Sequence, residues 1–191
     1  TQVTITGTGT PLATHDRAGA GVLVRYGDVH LQFDAGRATV PRLLAAGSSP
    51  AKLSALFLTH YHSDHVVGVQ DLVLSHWTMD VYDEAARLPL LAPNGSTIRF
   101  CERMLDLWDH DLEIRSLHNH RAPHPKVDII GFDAPPKPVE IWPSGDVRVL
   151  ASQVRHEPVE GAVGYRIETP DGVVAISGDT VVCDEVAALA D

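Results

Sequence analysis

No run of about 18 uninterrupted apolar residues occurs in this 191-residue chain, so a helical membrane span is not expected. The opening TQVTITGTGTP has neither the basic nor the apolar region of a secretory signal. Cysteine is scarce: Cys101 and Cys183 stand isolated from one another and form no C-x-x-C pair, which points to structural roles in a reduced, cytoplasmic setting. Basic clusters are also lacking, and the formal charge of −10 argues against a broadly cationic surface that grips a phosphate backbone. Nucleic acid would have to be held locally. Neither a fixed-period repeat nor a low-complexity tract is present. With 44% hydrophobic residues the chain reads as one ordinary globular domain over 1–191.

What the chain has in excess is histidine. Eleven are present, concentrated at His60, His62 and His65 and again at His110, His118, His120 and His124. The first group follows a β-rich third. QVTITGTG, AGVLVRYG and VHLQFDAG read as strands, the last two joined through a Gly27-Asp28 turn. VPRLLAAG has helical spacing and a glycine stop. LSALFL is the continuous apolar run of a strand buried on both faces, and its C-terminal end delivers the histidines. VQDLVLSHWTM reads as a helix and LPLLAP as a strand. STIRFCERMLDLWDHDL reads as one helix capped by Ser96 or Thr97. Residues 110–137, rich in proline, read as a long loop or insertion whose His118, His120 and His124 could shape a pocket. VEIW, VRVLASQVRH, AVGYRIET and GVVAISGD read as four strands, and VCDEVAAL as the start of a helix. The pattern predicts two packed sheets, predominantly antiparallel, with helices outside.

His60, His62, Asp64 and His65 form H-x-H-x-D-H. A lone histidine at a strand end is ordinarily a hydrogen-bonded structural residue; four metal-compatible residues at this spacing are a different matter. In extended backbone His60 and His62 point the same way and can converge on one ion, with Asp64 and His65 facing a neighbouring position once the chain turns. Zinc accepts imidazole and carboxylate ligands and keeps an open position in catalytic sites. Two ions about 3.5–4 Å apart could activate a water between them. The spacing predicts a dinuclear hydrolytic centre completed by distant ligands.

THYHSDH resembles the signature of the metallo-β-lactamase fold hydrolases. GTGTP (Gly7 to Pro11) and FDAG (Phe33 to Gly36) are similar to the opening motifs of the ribonuclease Z and arylsulfatase-like branch, and RHEPVEGAVGYRIE and ISGDT to its later ones. The resemblance implies an α/β (α+β) fold, an αββα sandwich of two mixed sheets flanked by helices. It makes His60, His62 and His156 ligands of one zinc and Asp64 and His65 ligands of the second, with Asp179 bridging. Asp34 would orient a ligand histidine through the nitrogen that does not bind metal. Two Zn2+ per complete site are implied, with Mn2+ and Fe2+ left open, and related enzymes are frequently homodimers. GDTVVCD also resembles the Mg-binding segment of haloacid-dehalogenase-like phosphatases, but the D-x-D nucleophile motif of that family is missing.

Two departures from the pattern bear on function. The family's later His-Glu strand and last ligand histidine are not reached before Asp191, so the expectation is a domain truncated at its C-terminus. The long tRNA-gripping arm of many bacterial ribonuclease Z enzymes is replaced by TPDGVVAI, which together with the −10 charge disfavours tRNA. The resemblance implies a zinc-dependent phosphodiesterase in which Asp64 holds the attacking water and accepts its proton as well as ligating metal. A small-molecule or nucleotide ester is the expected substrate. An arylsulfatase or lactonase of the same fold, and a noncatalytic metal-binding or sensor domain, are the alternatives.

Overall fold

The computed structural model describes residues 1–80, 86–119 and 124–191. Strands β1 (Gln2–Gly7), β2 (Gly21–Tyr26) and β3 (Val29–Phe33) form an antiparallel meander. Gly27 turns the β2–β3 corner at φ 55°, a left-handed conformation that costs glycine nothing sterically. Beyond β3 the pairing becomes parallel through β4 (Ala55–Phe57), β5 (Leu88–Pro93) and β6 (Val127–Phe132), completing a six-stranded sheet in the order β1-β2-β3-β4-β5-β6. The cause is connectivity. Helix α1 (Thr39–Ala45), then α2 (Ser63–Val66) with α3 (Val69–Met79), then α4 (Ser96–Arg103) with α5 (Asp109–Asn119) carry the chain back between successive strands, as parallel pairs require. Three of the five pairings in this sheet are therefore parallel, although across both sheets antiparallel pairings predominate, five to three.

The second sheet is antiparallel throughout, ordered β10-β9-β8-β7, from β7 (Val139–Ser144), β8 (Val147–Gln153), β9 (Val163–Thr169) and β10 (Gly172–Ile176). Helix α6 (Asp184–Ala190) follows, with Leu189 buried against Val154 and Ala162. Alternation along the strands builds two cores. Leu31, Phe33, Ala55, Phe57 and Leu91 face the second sheet, whereas Leu56, Leu58, Leu88, Leu90 and Ala92 face the helices. Between the sheets Phe33 stacks on Phe57 at 4.8 Å, and Tyr165 meets Phe57 edge-on at 5.5 Å, contacts that add to the area the rings bury. No helix among the described residues is long and apolar enough to cross a membrane.

Two expectations need correction. The helix expected over STIRFCERMLDLWDHDL breaks after Arg103, and a 3-10 turn at Asp106–Trp108 leads into α5. Beyond the turn Leu112 is fully buried. The N-cap of α4 is Gly95, without a side-chain cap from Ser96 or Thr97. The segment 110–137, read as a loop, contains most of α5 and all of β6. Its prolines flank β6, at Pro125 on one side and Pro135 and Pro136 on the other, so they bound the strand without removing a ladder donor. His110 and His118 lie exposed on α5, His124 is exposed ahead of β6, and His120 lies outside the described residues.

Candidate metal centre

The histidine-bearing segment is held from both sheets. Past β4 the Leu58 amide donates to Leu91 O at 2.9 Å, the Val163 amide donates to Thr59 O at 3.0 Å, and the Tyr165 hydroxyl donates to Leu58 O at 2.5 Å. The chain then turns into α2, whose first turn carries Asp64 and His65. The DAG turn after β3 packs against this helix: Ala35 N donates to His65 O and Gly68 N to Ala35 O, each at 2.8 Å. A Cβ on Gly36 would overlap the Asp64 carbonyl, and one on Gly68 the Gly36 carbonyl. Backbones this close leave room only for glycine. His156 follows β8, and Asp179 follows β10 after Gly178, at φ 61°.

These turns bring distant residues together. The ligating atoms of His60, His62, His156 and Asp179 all lie within 4.8 Å of one another, with His156 Nε2 3.1 Å from His62 Nδ1. Asp179 faces two ways, Oδ1 lying 3.4 Å from His65 Nε2 and Oδ2 4.0 Å from His156 Nε2. Asp64 Oδ2 is 3.8 Å from His65 Nε2. Every residue assigned to metal binding thus sits in one cluster, with Asp179 between the His60, His62, His156 group and the Asp64, His65 pair.

A buried hydrogen-bond chain fixes the imidazoles. Asp34, 5% exposed and in the left-handed region at φ 55°, accepts from the Thr59 amide at 2.8 Å and the Thr59 hydroxyl at 2.9 Å. Its Oδ2 lies 2.8 Å from His65 Nδ1, and Thr59 Oγ1 lies 2.9 Å from His60 Nδ1. Because the Thr59 proton goes to Asp34, His60 Nδ1–H must donate to Thr59, and His65 Nδ1–H donates to Asp34. Both Nε2 lone pairs are then left facing the cluster. Among the described residues His60 Nε2 and Asp64 Oδ1 are buried with no hydrogen-bond partner, a costly state for polar atoms. A divalent cation would relieve both, so the donor set fits a metal.

Titration follows the same geometry. Burial, reinforced by His65, His156 and His62, pushes His60 down to about 3, so it stays neutral and ready to ligate. Burial also pulls on His65, but its Asp34 hydrogen bond and the charges of Asp34, Asp179 and Asp64 outweigh that and raise its pKa.

Thr59 is the participant that residue patterns did not reveal; its only signal is its place immediately before the first histidine. Cys101 and Cys183 are both free thiols, and burial raises Cys101 to about 12, consistent with a packing role.

Residues 16–189 match the family model described as the Metallo-beta-lactamase superfamily. The chain is 34% identical over 190 residues to a ribonuclease Z of Mycobacterium bovis (strain BCG / Pasteur 1173P2), covering 99% of this chain and 66% of that protein. It is 36% identical over 197 residues to a ribonuclease Z of Mycobacterium sp. (strain KMS), covering 99% and 65%. It thus spans about two thirds of the length of the curated relatives it matches. Its fold superposes on the short form of human tRNase Z with a TM-score of 0.74 at 20% identity, over 98% of this chain and 73% of that one. It also superposes on the metallo-beta-lactamase fold protein YhfI of Bacillus subtilis with a TM-score of 0.68 at 22% identity, over 95% and 64%. The chain belongs to the metallo-beta-lactamase superfamily.

Proposed function

We propose that this chain carries the metal centre of a hydrolase that cleaves phosphodiesters, as a ribonuclease Z does, and that the centre is dinuclear and takes zinc. The observation that carries the reading is the position of Asp179, one oxygen towards His65 and the other towards His156, as a carboxylate shared by two ions would be placed. His60, His62 and His156 hold one side, and Asp64 and His65 the other. Held by these residues, a pair of divalent ions would supply Lewis-acid polarisation of a phosphoryl oxygen and lower the pKa of a water towards neutrality.

The remaining work belongs to the protein. Asp64, 4% exposed with one oxygen unpartnered among the described residues, would orient the attacking water and accept its proton. Asp34 and Thr59 keep His65 and His60 in the ligating tautomer. Imidazole and carboxylate donors suit zinc, and also admit manganese or iron. The −10 charge favours small or locally held substrates over a broad nucleic-acid footprint. We further place the enzyme in the cytoplasm, with homodimer formation open to measurement by light scattering.

Metal analysis joined to turnover tests the reading. Two zinc ions per chain and hydrolysis of bis(p-nitrophenyl) phosphate in preference to p-nitrophenyl sulfate and to a simple lactone are expected. Asp64→Ala should lower kcat at least about 100-fold. Preference for the sulfate or the lactone would reassign the substrate. Metal binding with no turnover of any of the three would leave a binding or sensor domain.

A further inference from the structure

Alternation along β3 turns Leu31 and Phe33 towards the second sheet, so Gln32 points the opposite way. It stands beside its register partner Leu23, in the core between the first sheet and the helices. There it is 0% exposed. An amide side chain in such a place is costly unless its polar ends are used.

Gln32 uses one end. Its Nε2 donates to Asp34 O at 2.7 Å, with Phe33 O and Thr6 Oγ1 each at 3.2 Å. Its Oε1 is buried with no hydrogen-bond partner among the described residues. The amide cannot be turned round, because an oxygen facing the carbonyls of Phe33 and Asp34 would meet no donor. Two hydrogens thus serve three acceptors, and the shortest contact goes to Asp34.

That carbonyl belongs to a residue in an uncommon conformation. Asp34 has φ 55°, where any side chain larger than that of glycine is held at a cost. From this turn its carboxylate reaches the Thr59 amide, the Thr59 hydroxyl and His65 Nδ1. Behind Gln32 there is no slack: a Cβ on Gly21 would lie 2.5 Å from Thr6 Oγ1 and 2.9 Å from Gln32 Nε2. Glycine at that position therefore lets the amide sit against the turn.

We propose that Gln32 is a positioning residue for the metal centre. Its amide holds the Asp34 carbonyl and so keeps the left-handed turn that presents the Asp34 carboxylate to His65 and Thr59. Gln32 acts through Asp34 alone, and the inference rests on the reading of the histidine cluster as a metal centre.

The test compares Gln32→Met, which keeps the length and loses the donors, and Gln32→Leu, which suits an apolar core, with Val149→Ala. The last opens a cavity at a fully buried position of β8 and controls for lost stability. In metal-free protein the His65 Nδ1 proton, bonded to Asp34, should give a slowly exchanging low-field resonance in wild type and in Val149→Ala. Both Gln32 variants should lose or broaden it. Zinc affinity, measured by chelator competition, should fall about ten-fold in both Gln32 variants and change less than about two-fold in Val149→Ala. In an Asp34→Ala background Gln32→Met should lower affinity no further. A wild-type resonance and affinity in a folded Gln32 variant overturns the proposal. So does a loss of affinity that recurs in full without Asp34, since Gln32 would then act independently of it. Failure of the wild-type protein to bind zinc sinks the metal-centre reading, and the resonance then still decides whether Gln32 positions Asp34.

Discussion

At the scale of single residues, the buried hydroxyl of Thr59 decides which nitrogen of His60 carries the proton, because its own hydrogen is committed to Asp34. Thr59→Val keeps the shape and removes both bonds, so zinc affinity measured by competition with a chromophoric chelator should fall about 10–100-fold; Thr59→Ser should keep it. His65 and His60 titrate in opposite senses. The raised pKa of His65 favours the imidazolium in the metal-free fold, a contribution present below the ordinary value of 6.5 and lost as pH rises through the raised one. Metal must displace that proton, so uptake should release protons in unbuffered solution and weaken as pH falls. His60, neutral down to about pH 3, adds no proton cost. The metal-free protein loses the contribution of His60 as pH drops from about 6.5 towards about 3. The clustering of His60, His62, Asp64 and His65 was legible in H-x-H-x-D-H, since four metal-compatible side chains in six positions have no common structural explanation. Thr59 was not, because threonine at a strand end is ordinary and its role depends on Asp34 turning inward after β3.

At the scale of elements, the site depends on the docking of the DAG turn onto α2, where Gly36 approaches the Asp64 carbonyl too closely for any side chain. Gly36→Ala must push the two apart and should cost roughly 2–3 kcal/mol in urea unfolding, with weaker metal binding. Retention of both stability and affinity would show that the contact is dispensable. Most strands were readable from alternation and from the continuous apolar run of β4, which sits at 0% exposure between two layers. β6 escaped notice because its prolines lie at its ends. The break between α4 and α5 escaped because the apolar spacing continues through it, with Cys101 and Met104 buried before the turn and Leu112 buried after it.

At the scale of the whole molecule, the two sheets act as a vice. β4 projects Phe57 into the layer between them, and Tyr165 of β9 reaches across to Leu58 O, just ahead of Thr59 and the histidines. His156 and Asp179 come from the ends of the second sheet, so the cluster closes only when the sheets pack. The sequence order of the motifs could suggest that meeting, but only packing produces it, at separations within 4.8 Å. The most direct test is anomalous diffraction at the zinc edge from crystals of this chain grown with zinc. The expected result is a peak at bonding distance from His60 Nε2, His62, His156 and Asp179, abolished in His60→Ala. A peak elsewhere, or none near His60 and His62, would contradict the account.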